Sequence, residues 1–253
     1  MNRPSCRDVL GQQGPFSARV KGYQVREGQL AVTEAVERLL DRQGVLICEA
    51  GTGIGKTFAY LVPALLSGQK VVISTATKTL QDQIAHRDLP LVQSVLGTDV
   101  PVRVMKGLSN YLCKRRFREF LLSPEALRPG YASALSLLRD WSAKTEVGEL
   151  TELSTLSEGA PIVGHVASSS ETRLGASCPY YDECFATQMK RDAEAAQILI
   201  VNHHLFFADL ALGGPHPGRV IPDYDAAIVD EAHQMEDTAG LFFGGRLTQG
   251  PGT

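Results

Sequence analysis

The sequence predicts an α/β fold: a parallel sheet covered by helices and interrupted by a mostly helical insertion. Three observations carry this. Short β-branched runs alternate with helix-spaced segments over residues 27–104 and again beyond residue 197. A glycine-rich loop, Ala50 to Thr57, stands between one such run and a helical stretch. Between residues 106 and 194 the alternation gives way to helical pieces, an acidic stretch and a Ser/Gly-containing segment around Ser168 to Ser177, as an insertion would.

In chain order, residues 1–15 read as a polar tail. Glu27 to Arg42 places Leu30, Val32, Ala35, Val36, Leu39 and Leu40 at helical spacing and stops near Gly44. Val45 to Cys48 reads as a buried strand leading into the glycine loop, and Phe58 to Leu66 as a helix bent or ended by Pro63. Lys70 to Ser74 reads as a strand, Thr79 to Arg87 as a helix and Val100 to Val104 as a further strand. After the insertion, Gln197 to Val201 and Ala226 to Val229 restore the sheet pattern, the latter running into Asp230-Glu231-Ala232-His233. The expected boundaries are 16–105 and 195–253 for the two parts of the sheet domain, and 106–194 for the insertion.

With 253 residues, 43% hydrophobic and 21% charged, the chain can bury a core, which excludes disorder, collagen and a disulfide-knit mini-protein. The longest apolar run, Phe58 to Leu66, contains Pro63 and falls well short of the roughly 20 residues that cross a bilayer, so no membrane is expected as a partner. The first residues lack the basic start and apolar core of a secretory signal, which points to a cytoplasmic, reducing compartment. Five cysteines there read as thiols or metal ligands.

A formal net charge of -3 excludes nucleic-acid binding by bulk charge, so any such binding is local. The candidate patch is Arg103 to Glu119, where Arg103, Lys106, Lys114, Arg115, Arg116 and Arg118 stand against one acid. From Asp140 to Glu158 the sign reverses, with five acids against Lys144. Either run also reads as a solvated face.

Ala50 to Thr57 fits the phosphate-loop pattern, with alanine where the stricter form has its first glycine. Gly51, Gly53 and Gly55, with Thr52 between, let the backbone turn its N–H groups around phosphates at a helix start. Lys56 is placed for the β- and γ-phosphates of ATP and Thr57 for Mg²⁺. Such a loop needs an acid at a neighbouring strand end to hold the magnesium shell, and Asp230 is so placed; Glu231 beside it can orient and deprotonate water. Arg26 and Gln29 precede the loop by one helix. A glutamine amide suits the N6/N7 edge of adenine and Tyr23 offers a stacking face, although a surface helix start fits equally.

With these segments in order, the chain resembles the iron-sulfur helicases of superfamily 2, the DinG/XPD group, and most closely the bacterial DinG and YoaA type. Ser74-Thr75-Ala76-Thr77-Lys78-Thr79-Leu80-Gln81 looks like that family's motif Ia, Lys106 to Cys113 like the entry to its cluster domain, and Val201-Asn202-His203-His204-Leu205 like the strand before its DEAH box. The similarity runs from about residue 16 to 245. It implies a RecA-like P-loop motor domain carrying an iron-sulfur-type insertion. It also implies an ATP-driven 5′ to 3′ motor on single-stranded or forked DNA, used in DNA repair with replication or repair proteins as partners. It assigns Lys56, Thr57, Asp230 and Glu231 to ATP, magnesium and hydrolysis, and Arg26 and Gln29 to the adenine side. His233 would couple hydrolysis to strand movement, and Thr75 and Thr77 would lie near the DNA backbone, as would the basic residues Lys106, Arg115 and Arg116. A strand-end turn is an equally good local reading of the two threonines.

The same resemblance assigns Cys113, Cys178 and Cys184 to a [4Fe-4S] cluster, which wants four thiolates. The family pattern puts another cysteine five positions before Cys178, where this chain has Arg173. A guanidinium offers iron no lone pair. The expected outcomes are a cluster with three cysteines and an outside ligand (His165 and Asp182 are conceivable), a labile three-iron form, or no cluster, leaving free thiols. A second departure is that no second RecA-like domain follows in this sequence, so the isolated chain is expected to bind ATP without rapid hydrolysis or unwinding. A hydrolysis-deficient module that binds ATP or single-stranded DNA is the alternative.

Overall fold

The computed structural model describes residues 4–51, 53–157, 159–213 and 220–244. The chain divides into two compact units, one of Met1–Val104 with Ala195–Thr253 and the other of Met105–Glu194.

The first unit opens with α1 (Cys6–Leu10) and α2 (Pro15–Arg19). Cys6, Val9, Leu10 and Phe16 are buried in its core, so the expected tail is a folded part of the domain from Cys6 onward. The apolar residues responsible are too few to show periodicity in so short a stretch. The helix α3 (Glu27–Leu40) follows the periodicity closely. Between α3 and the glycine loop the sequence expectation fails. Val45 to Cys48 forms no strand; Val45 is 89% and Ile47 92% exposed, and Cys48 is exposed. A run of four apolar residues is held as a strand only by a ladder and a covered face, and the sheet of this unit ends without it.

The helix α4 (Lys56–Ser67) runs straight through Pro63 instead of ending there, with Ala59 to Leu65 all buried against the core. Beyond it lie β1 (Val71–Thr75), α5 (Lys78–Gln83) and α6 (Leu89–Leu96), the last two joined by a π-helical turn, Ile84–Asp88, and then β2 (Val102–Val104). Past the second unit, the chain returns as β3 (Ile198–Asn202). In the second unit itself the helices are α7 (Lys114–Leu121), α8 (Ala132–Ser142), α9 (Pro161–Val166) and α10 (Phe185–Ala195). The first unit closes with α11 (His203–Ala211), β4 (Ala226–Val229) and α12 (Met235–Phe243).

The four strands form one sheet in the order β2-β3-β1-β4, every neighbouring pair parallel. Ile73 lies between Ile200 and Ile228 in register. The strands β1 and β3 are buried along almost their whole length, as expected of inner strands covered on both faces. Crossovers between parallel strands bring the loop after β1 and the turn after β4 to the same end of the sheet. The second unit has its own apolar centre, with Leu112, Phe117, Phe120, Leu138, Ile162 and Val166 buried. Its β structure among the described residues is confined to two antiparallel bridges, Tyr111 with Glu149 and Leu112 with Ala167.

Candidate nucleotide site

Gly53 and Gly55 take φ of 81° and 85°, the left-handed region that glycine enters without a steric penalty. Gly55 caps α4, so the unpaired N–H groups of its first turn, beginning at Lys56, stand at the loop. The loop is held from behind. Gln29, 2% exposed, donates Nε2 to the Gly55 carbonyl at 2.9 Å and accepts from the Tyr23 hydroxyl at 2.7 Å. Arg26 donates to the Gly53 carbonyl. The two residues expected at adenine are thus bonded to the loop, with both ends of the Gln29 amide engaged. Thr52 lies outside the described residues.

The strand β4 delivers the acids. The Asp230 N–H donates to the Ser74 carbonyl at 2.9 Å, continuing the ladder with β1 one residue past the strand. Its carboxylate is fixed at both oxygens: Oδ1 accepts from the Glu231 N–H at 3.0 Å and Oδ2 from the Tyr60 hydroxyl of α4 at 3.0 Å. Burial, then the Asp230 charge, push the Tyr60 phenol well above its ordinary range, so it stays a donor. Glu231 has φ of 54° and is the sole non-glycine residue with positive φ among those described. That turn sets Glu231 between Lys56 and His233. Lys56 Nζ is 3.8 Å from one carboxylate oxygen, and His233 Nδ1 is 3.5 Å from the other. Lys56, Thr57, Asp230, Glu231 and His233 are drawn together from α4 and the turn after β4.

Two further residues escaped sequence reasoning. One is Tyr60, 170 residues from its partner. The other is His203, buried at 1% exposure, whose Nδ1 lies 2.7 Å from Ser74 Oγ, 129 residues away. Burial lowers its pKa, opposed by the nearby main chain of Glu231 and Asp230. It backs the acidic turn. The segment Val201 to Leu205 stood out in sequence, but not the contact of its histidine with Ser74.

Thr75 and Thr77 shape their own turn. Thr75 is fully buried and its hydroxyl donates to the Thr77 carbonyl at 3.1 Å, while Thr77 Oγ1 caps α5 by accepting from the Leu80 N–H at 3.2 Å. In the second unit, Lys106 is buried and paired with Glu149 at 2.6 Å. Arg115 holds Glu119 at 2.6 Å and the Thr172 carbonyl at 2.8 Å; Arg116 donates to the carbonyls of Ala167 and, at 2.6 Å, Gly164. The basic run expected to face DNA phosphates is therefore engaged largely in internal contacts, and Lys106 is the clearest departure, since a buried pair offers nothing to solvent.

Cys113, Cys178 and Cys184 are free, half-buried thiols. Arg173, in the position of the missing ligand, donates to Thr187 Oγ1 at 3.1 Å. His165 is stacked on Phe120 at 4.6 Å. Among the described residues no group of three or more His, Cys, Asp or Glu could hold a metal ion. The donor set does not fit a [4Fe-4S] cube.

Residues 30–119 match the DEAD/DEAH box helicase family. The chain is 39% identical over 241 residues to the ATP-dependent DNA helicase YoaA of Haemophilus influenzae, covering 95% of this chain and 38% of that protein. It is 33% identical over 251 residues to the 3'-5' exonuclease DinG of Bacillus subtilis, covering 94% and 25%. It is 31% identical over 245 residues to the ATP-dependent helicase DinG of Mycobacterium tuberculosis, covering 88% and 36%. The chain thus spans well under half the length of each. The family match begins in the unit that carries the parallel sheet.

Proposed function

We propose that this chain is the ATP-binding lobe of an ATP-dependent DNA helicase. The observation that carries the reading is the convergence of Lys56, Asp230 and Glu231, with the carboxylate of Glu231 3.8 Å from the Lys56 ammonium. Lys56 takes the β- and γ-phosphates in place of Glu231, whose carboxylate is then free to accept a proton from the attacking water. Thr57 and Asp230 are the residues that would hold Mg²⁺, which neutralises developing phosphate charge when bound. Their fit rests on the two side chains meeting at one hydroxyl, that of Tyr60. His233, 3.5 Å from Glu231, is placed to sense that exchange.

The resemblance to the DinG and YoaA type supports 5′ to 3′ movement on single-stranded or forked DNA and a role in DNA repair, with a second RecA-like lobe closing the site. By the same resemblance the unit Met105–Glu194 corresponds to the cluster insertion, here without a complete set of thiolates. The test is nucleotide binding and DNA-stimulated ATP hydrolysis by the native-length protein, with Lys56→Ala and Glu231→Gln beside it. Loss of binding in the first, and retained binding without turnover in the second, are expected. Nucleotide binding that survives Lys56→Ala unchanged sinks the reading; Lys56-dependent binding with no turnover even in the unmodified protein would favour a binding module.

A further inference from the structure

We propose that Tyr60 is a positioning residue for magnesium: its hydroxyl aligns the Asp230 carboxylate with Thr57 so that both can face one divalent cation. The inference rests on the ATP reading above and goes a step deeper into the same site. Tyr60 sits one turn after Thr57 on α4 and is 6% exposed. Its hydroxyl donates to Asp230 Oδ2 at 3.0 Å, and the Thr57 side chain interacts with the same hydroxyl. The opposite carboxylate oxygen, Oδ1, is held by the Glu231 N–H at 3.0 Å. Each oxygen of Asp230 therefore makes one fixed hydrogen bond and keeps a lone-pair direction open.

This arrangement does what outer partners of metal ligands do elsewhere. It selects one carboxylate rotamer before the metal arrives and strengthens the geometry without touching the ion. The phenol is suited to this role because its hydroxyl donates to the Asp230 carboxylate at 3.0 Å. A hydroxyl that stays a donor can hold a carboxylate but does not compete for Mg²⁺. The residue is also cheap to remove cleanly, since Tyr60→Phe keeps the ring that fills the core between α4 and the sheet.

The experiment is calorimetric or fluorescent ATP binding by the unmodified chain, Tyr60→Phe, Asp230→Asn and the double variant, each titrated with MgCl₂ and repeated in EDTA. The readout is the ratio of ATP affinity with and without Mg²⁺, which a general loss of stability would not change. Outer-partner substitutions commonly weaken metal binding about 10-fold or more, so Tyr60→Phe is expected to reduce the ratio on that order. In the Asp230→Asn background the same substitution should have almost no further effect, because the group it aligns is already lost. A ratio within twofold of the unmodified chain, or equal effects of Tyr60→Phe with and without Asp230, would overturn the proposal. Lys56→Ala runs alongside as the separate control. If it leaves ATP binding intact, the nucleotide reading itself fails, and the role of Tyr60 fails with it.

Discussion

Substituting Gly55 by alanine probes the phosphate loop at its tightest point. At φ of 85° an alanine is in the left-handed region, which costs about 1–2 kcal/mol. Its Cβ would also lie 2.3 Å from Gln29 Nε2, so the amide must withdraw. Withdrawal breaks the 2.9 Å bond to the Gly55 carbonyl, a further loss of about 0.5–1.5 kcal/mol. The sum is about 1.5–3.5 kcal/mol, or roughly 3–14 °C in the unfolding midpoint of a unit this size. Thermal unfolding of Gly55→Ala, Gln29→Ala and the double variant reads both parts. Removing the Gln29 amide should rescue the clash but not the backbone strain, so the double variant is expected to be more stable than the sum of singles by about 1 kcal/mol. Full additivity, or a midpoint for Gly55→Ala within 1 °C of the unmodified chain, roughly the scatter of such scans, would refute the claim that this amide sets the loop.

Other measurements follow from particular contacts. Glu149→Ala leaves Lys106 buried without its 2.6 Å partner and should destabilise the Met105–Glu194 unit by about 3 kcal/mol in urea unfolding. Burial lowers the His203 pKa below its ordinary 6.5, so the unfolded chain takes up the proton first. The linked stability is complete above pH 6.5 and is lost as the pH falls below it, and His203→Gln should flatten that part of a stability–pH curve. Iron analysis after anaerobic purification should find less than one cluster in the unmodified chain, and about four irons after Arg173→Cys supplies the fourth thiolate.

What the sequence made legible was chemistry that is local in the chain. The glycine loop and the acidic turn each lie within eight residues, and the helix after the first and the strand before the second follow from patterning over similar windows. The contacts that join them do not. Tyr60 and Asp230 are 170 residues apart, Ser74 and His203 are 129 apart, and no spacing rule links such pairs. Val45 to Cys48 shows the same limit in reverse. Its apolar pattern is that of a buried strand, but burial depends on a neighbouring strand, and Ile47 is 92% exposed. Gln29 shows a contact that its residue type leaves open, since an amide able to read adenine is equally able to bridge a carbonyl and a phenol.

By the resemblance, the segment that carries Cys178 would correspond to a metal-binding framework that is here incomplete at Arg173. In a small unit, a cluster would contribute folding free energy by tying the 172–184 loop to the start of α7. Here α7 makes that tie through its own cations: Arg115 to the Thr172 carbonyl at 2.8 Å, Lys114 to Glu183 at 3.0 Å and Arg118 to the Tyr180 hydroxyl at 2.9 Å. Exposed pairs such as the one with Glu183 contribute little individually, whereas the partly buried bond of Arg115 to a main-chain carbonyl restrains the loop at its beginning. Arg173 adds a bond to α10 through Thr187 in the place where a thiolate would have pointed at iron. Restoring a cysteine at 173 would set a cluster in competition with Arg173's hydrogen bond. That competition predicts a measurable sign: Arg173→Cys should be less stable than the unmodified chain without iron and more stable with it, as read by paired thermal scans before and after reconstitution.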